Sequence, residues 1–316
     1  MKRKAVQLGK ATLVMSLPAK WIREQGISAG DELEVDQNNS KLIISTQKHK
    51  FEPLRTTVEI KNTEKPRGDD SEPFITTFNE RLLIARYIKG YDEITILGDT
   101  TKLYDVINRR VKNLIGMEIV SQTENMFLIR DLGISSEQPF DQIIRRCFLM
   151  IRTMLEDVLK TKGNTDAGSM HDRDQTVNRF VYLLLRKLNK ELRHPSGNIN
   201  IETIPHRYSE VLLIEHISDD VARLGKSLAN YKIKNEKILK LIEDLKDMIE
   251  MLSVNYFKYN EEKARKVFDY KIEIRARVNK ISEETKNKRL INVLYWIREV
   301  AETAPDLLES ILARTS

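Results

Sequence analysis

The sequence predicts a multidomain α+β protein with a small β-rich domain over 1–60, a small α/β insert over 74–135 and an all-α six-helix domain over 139–316. Three observations carry this. Short apolar runs broken by glycines fill the N-terminal segment. Helix and strand periodicities alternate in the middle. From Pro139 onward, long amphipathic stretches with short breaks run to the end. A chain of 316 residues is also too long for one ordinary core. With 41% hydrophobic residues and only 12 Gly and 8 Pro, the composition is globular.

In the first segment the apolar runs are Val6 and Leu8, Leu13-Val14-Met15, Leu33 and Val35, and Leu42-Ile43-Ile44. Gly9, Gly26, Gly30 and the polar turn Gln37-Asn38-Asn39-Ser40 separate them, as strand punctuation does. One short helix fits between Pro18 and Gln25, with proline in the first turn, where its missing N–H costs nothing. Residues 62–73 hold two prolines, a glycine and many charges, and read as a linker. In the insert, Asn79 to Lys89 and Thr101 to Leu114 look helical, and Glu93 to Leu97, Glu118 to Ser121 and Met126 to Arg130 look like strands. The helical part divides into 139–162, 168–193, 205–229, 232–256, 259–285 and 288–313. Short breaks between long helices favour antiparallel neighbours, and six helices form two groups of three, a pair of three-helix bundles.

Charge and chemistry narrow the function. Charged residues make up 32% of the chain, and the net charge is +6. That balance fits an anionic partner, although where the charge lies matters more than its sum. The single cysteine, Cys147, rules out a disulfide framework or a Cys-rich zinc site, and in its apolar run it reads as a buried hydrophobe. No run approaches the ~18 apolar residues of a membrane span. Lys2-Arg3-Lys4 before an apolar stretch mimics a signal peptide, but Gln7, Gly9 and Lys10 interrupt it, so mature cytoplasmic protein is expected. His49, His171, His194, His206 and His216 are scattered without metal-ligand spacing; His171, near Asp172 and Asp174, is the one to watch. No phosphate loop, nucleophile elbow or kinase signature is present, so no enzyme is expected.

The stretch Arg3 to Trp21, with Gly26-Ile27 and Gly30-Asp31-Glu32-Leu33-Glu34-Val35 after it, resembles the SpoVT/AbrB family. The spacing of Gly9, Pro18, Gly30 and Asp31 carries the likeness over about 45 residues. The resemblance implies a swapped-hairpin homodimer that binds DNA. Physics points the same way, since two short hairpins cannot close a stable core alone. Residues 1–25 hold Lys2, Arg3, Lys4, Lys10, Lys20 and Arg23 against the single acid Glu24, a local charge of +5. A dimer would double that charge on one face, as binding to phosphate backbones requires. These six side chains are the expected DNA contacts. The alternative is a solubilising basic face on a domain that only dimerises.

In the helical part, Ile214 to Leu224 resembles the acidic helix of the PhoU family, with Glu215 and Asp219 at its acid positions. Asp220 stands where that family has His, and Arg223 where it has Asn. The partner motif is Asp174 to Arg179, with Asn178 in place of a second carboxylate. A worn second copy offers Asp269 and Glu273, then Glu302, with Arg298 at the other acid position. The resemblance implies metal clusters of iron, zinc or another divalent ion, held by Asp174, Glu215 and Asp219 in the first group and by Asp269, Glu273 and Glu302 in the second. Acid pairs three or four residues apart share a helix face. In a chain this charged they equally read as solvated faces. A SpoVT/AbrB head, an α/β insert and PhoU helices occur in this order in archaeal phosphate-uptake regulators, which this chain resembles.

The expectation is therefore a homodimeric, non-enzymatic, DNA-binding regulator of phosphate uptake. The alternative is an adaptor that restrains a phosphate transporter or sensor kinase by protein contacts alone.

Overall fold

The computed structural model describes residues 2–38, 41–46, 53–60, 78–133, 138–195, 199–231 and 235–315. The expected linker at 62–73 and the tip of the turn at 39–40 lie outside them. The chain forms two compact units, Met1–Pro53 and Leu54–Ser316.

In the first unit, β1 (Val6–Leu8) pairs antiparallel with β2 (Thr12–Val14), and Gly9 turns the chain at φ 75°. Helix α1 (Ala19–Glu24) follows Pro18 as expected. It ends in a Schellman arrangement, in which Ile27 N donates to Ile22 O and Gly26 N to Arg23 O, with Gly26 at φ 60°. The Gly-Asp motif then has a mechanical meaning. The Asp31 carboxylate accepts from Ser28 N at 2.8 Å, and Gly30 takes φ 94° to close the turn. This aims the chain into β3 (Leu33–Asn38), which pairs antiparallel with β4 (Lys41–Thr46).

The second unit starts one strand earlier than the 1–60 boundary allows. Strand β5 (Arg55–Glu59) lies parallel to β6 (Glu93–Leu97), in a four-stranded sheet ordered β5-β6-β8-β7. A parallel pairing needs a long crossover, and α2 (Phe78–Ile88) lies within it. Helix α3 (Thr100–Val111), capped by Asp99, leads to the hairpin β7 (Met117–Thr123) and β8 (Met126–Asp131). Val58, Ile94, Ile96, Phe127 and Ile129 pack with Leu83, Tyr87 and Ile107 into one core.

The six expected helices are α4 (Phe140–Lys160), α5 (Ala167–Arg193), α6 (Ile204–Tyr231), α7 (Glu236–Phe257), α8 (Glu261–Glu284) and α9 (Lys288–Thr315). Asp166, Asn235 and Asn260 cap α5, α7 and α8. A single apolar core runs through all six, with α6 against α9 and α4 against α7, so the two groups of three pack on each other. Cys147 is buried in this core, and burial pushes its thiol up to about 12. No helix among the described residues is long and apolar enough to cross a membrane.

The α/β layer is fastened to the helical body, where the sequence suggests a separate insert. The last carbonyls of α2 and the residues after it are capped by side chains from one face of α5. Arg186 donates to the carbonyls of Tyr87 and Tyr91, both at 2.9 Å, Asn189 to Ile88 at 2.9 Å, and Arg193 to Lys89 at 2.6 Å. These are acceptors that a helix end leaves open, and cations suit its negative pole. Arg186 also meets Asp131 at 2.7 Å, and Lys190 meets Asp92 at 2.6 Å. Asp92 in turn accepts from Leu54 N at 2.9 Å, which holds the entry to β5.

Candidate functional site

Two regions carry the expected site residues. The first is the N-terminal unit. Lys2, Arg3, Lys4, Lys10, Lys20 and Arg23 are all exposed, and among the described residues only Lys20 of the six forms an ion pair, with Glu24 at 3.7 Å. The apolar side chains beside them are exposed as well. In the β1–β2 register, Val6, Leu8 and Val14 share one face and are 58%, 63% and 39% exposed. Val35 and Leu42 stand equally open on the β3–β4 hairpin. Among the described side chains of residues 2–46, none is buried. A unit with regular strands but no interior has not completed its own hydrophobic burial.

The second region lies where α5 meets α6, and the structure brings Asp174, Glu215 and Asp219 together there. Asp174 is buried on α5. Its Oδ1 accepts from Ser218 Oγ at 3.1 Å and its Oδ2 from Asn178 Nδ2 at 3.3 Å. Burial raises the Asp174 carboxyl, the Asp219 charge raises it further, and it is pushed up to about 7. Glu215 is raised by the same two causes. The pair is thus half-buried, not the open solvated face that the apolar stripe of α6 suggests. Asp220, also raised by burial, joins the cluster through Arg223. Arg223 Nη2 lies 2.8 Å from Asp219, and Nη1 lies 2.8 Å from Asp220. Its guanidinium lies over the Trp296 ring, 5.3 Å from the centroid.

Asp174 carries a pH prediction with a definite sign. Its carboxyl sits above its unfolded value, so the folded chain binds a proton that the unfolded chain releases between about pH 4 and 7. Stability therefore falls as pH rises through that window and is level above it. The groups facing Asp174 are Ser218, Asp219, Arg223 and Lys226 of α6 and Asn178 of its own helix. Asp174→Asn should make the slope shallower, leaving the share of Glu215 and Asp220, and exceed the parent by about 2 kcal/mol above pH 7. Asn178 Oδ1 is buried without a partner, so a turned Asn178 amide can accept from the amide that this substitution introduces. Urea midpoints across the pH range check this, and an unchanged slope would refute it.

A divalent ion held by Asp174, Glu215 and Asp219 needs oxygen lone pairs free to converge. Asp174 accepts from a neutral donor on each oxygen and, when protonated, shares a hydrogen bond with Asp219, on which Arg223 also lies. Among the described residues, no group of three or more His, Cys, Asp or Glu is placed to hold a metal. The donor set as arranged does not fit a resident cation.

The second expected group is not drawn together. Asp269 and Glu273 are exposed on α8. Glu302, on α9, faces Lys271 at 2.9 Å, with Arg275 and Arg298 each at 4.0 Å. Lys271 and Arg275 were not in the expected set. Their positions beside Glu273 on α8 were visible, but their reach to α9 was not. His171 is buried, and burial lowers its imidazole. His216 lies 3.7 Å from Glu215.

Residues 6–52 match the family described as Antidote-toxin recognition MazE, bacterial antitoxin. These are the strands and turns that carry the SpoVT/AbrB resemblance, and the N-terminal unit is a MazE/AbrB-like domain. Among solved structures, the chain is similar to the crystal structure of the phosphate transport system regulatory protein PhoU from Streptococcus pneumoniae. The TM-score is 0.47 and the identity 13%, over 56% of this chain and 95% of that one. No curated protein matches the sequence.

Proposed function

We propose that the chain is a homodimeric, non-enzymatic regulator of phosphate uptake that binds DNA through its N-terminal unit. The observation that carries this is the union, in one small unit, of uncovered apolar strands and uncompensated cations. The strands call for a second copy, and the cations suit a polyanion once two copies face it. The phosphate assignment rests on the likeness of the α6 motif to the PhoU helix. A second reading has one specific support, because the matched family is described by recognition of a protein, a toxin. On that reading the β faces dock a protein, and the chain is an adaptor for a phosphate transporter or sensor kinase.

Sedimentation equilibrium and duplex-DNA titrations of the full chain separate the two. The expected result is a dimer that binds DNA with an affinity falling steeply with salt. Leu8→Lys, on the uncovered face of β1, should yield a monomer whose helical body stays folded and which has no DNA affinity. A parent chain that dimerises without binding DNA at moderate salt would leave the adaptor. Unaltered phosphate uptake on deletion of the chain in its host would remove the phosphate assignment.

A further inference from the structure

We propose that Arg223 is the resident cation of the acidic cluster on α5 and α6, so that the helical body holds these carboxylates together without a metal ion. The inference is independent of the reading of the N-terminal unit. Glu215 and Asp219 repel each other at i, i+4 spacing, Asp220 adds a third charge on the same helix, and the buried Asp174 carboxyl stands across the groove. A cation is needed for them to share one place. The chain supplies it from the next turn of α6. Asp220 and Asp219 stand three and four residues before Arg223, and each receives one terminal nitrogen of the guanidinium at 2.8 Å. A guanidinium stays charged at any working pH, and its planar fork bridges two carboxylates as a divalent ion would. Trp296 of α9 covers it, so a third helix helps to fix its position.

An ion bridging Asp219 and Asp220 would have to stand where the guanidinium stands. Across the groove, Asp174 is occupied from both helices by Ser218 and Asn178, which leaves Glu215 as the one carboxylate of the set that no strong donor holds. The same device recurs independently in the other half of the body. There Glu302 is met by Lys271 of the facing helix at 2.9 Å, with Arg275 and Arg298 behind it. In each half, a carboxylate of the expected set is thus met by the chain's own cations.

The test uses full-length protein purified without chelator, elemental analysis, and Mn²⁺ titration followed by the electron paramagnetic resonance of the free ion. The parent should carry far less than one transition metal per protomer and show no saturable Mn²⁺ binding. Arg223→Ser should bind Mn²⁺ about tenfold or more tightly than the parent. Adding Glu215→Gln should abolish that gain. Arg223→Lys, which keeps a charge, should stay metal-free. If circular dichroism shows the serine variant to be unfolded, Arg223→Gln is read by the same criteria. Stoichiometric metal in the parent that is lost with Glu215→Gln plus Asp219→Asn overturns the proposal. So does a folded Arg223 variant that takes up no Mn²⁺, or a lysine variant that binds as the serine variant does.

Discussion

Arg186→Met should destabilise the second unit by about 3–5 kcal/mol, the cost of removing one partner from a buried ion pair. Arg186 is 1% exposed and lies in the apolar part of α5. Methionine keeps most of the stem's packing, so the loss falls on the charge and its hydrogen bonds. Two carbonyls lose the Arg186 donor, Tyr91 O and Tyr87 O, the latter keeping only Gly90 N at 2.9 Å, and the guanidinium leaves the Tyr87 ring it covers at 4.9 Å. Asp131, itself nearly buried, is left with Lys190 at 3.1 Å and the Gly133 N–H at 2.9 Å. Burial would raise the Asp131 carboxyl, but the Arg186 hydrogen bond and charge outweigh it and hold the carboxyl below its usual value. The variant reverses that balance. Adding Asp131→Asn removes the orphaned charge and should recover part of the loss, which a double-mutant cycle measures. Urea unfolding gives the magnitude. Hydrogen exchange should show the amides of α2 and β8 losing protection before those of α6 and α9. A loss under about 1 kcal/mol would mean that the α/β layer is held by its apolar packing and that the polar junction is incidental.

The second large effect concerns the N-terminal unit. With Arg3→Glu plus Lys10→Glu, duplex DNA affinity at moderate salt should fall by about a hundredfold or more, with a log–log salt slope shallower by about 3–4. The slope follows because each copy gives up two phosphate-binding cations, so a dimer releases about four fewer counterions. Both side chains are exposed. The thermal midpoint and the dimer constant should therefore stay as in the parent, which separates a weakened interface from a damaged fold. Lys286→Glu plus Lys288→Glu makes the same change in net charge at exposed positions of the helical body. It should leave the slope where it was. Equal losses for the two pairs would reduce the effect to net charge, and an unchanged slope in the N-terminal pair would remove these residues from the interface.

What was legible in the sequence follows from the range of the forces involved. The six long helices, the helix after Pro18, strand β6 and the Gly-Asp turn were readable because each is set by neighbours within a few residues. Periodicity, a capping Asp or Asn, or a glycine at positive φ is sufficient for each. The acid pair of α6 was readable for the same reason, since spacing alone puts Glu215 and Asp219 on one face. That the N-terminal strands bury no core of their own was also readable, because too few residues were present to close one.

Tertiary structure decided everything that depends on which distant segments meet. Arg55–Glu59 alternates like any strand, and only its parallel partner β6 places it in the second unit. Arg186 shows in the sequence as a charge in an apolar stretch, but its acceptors lie about a hundred residues away, at Tyr87 and Tyr91. Arg223 could be read as a departure from a motif. Its reach to Asp220 and Asp219 follows from the i, i+3 and i, i+4 spacing, and only the packing of α5, α6 and α9 sets Asp174 beside them and the Trp296 ring against the guanidinium. By itself the sequence determined the elements, their caps and the charge of each face. The structure determined which charges neutralise which, because electrostatic pairing acts across space and the path of the chain does not encode it locally.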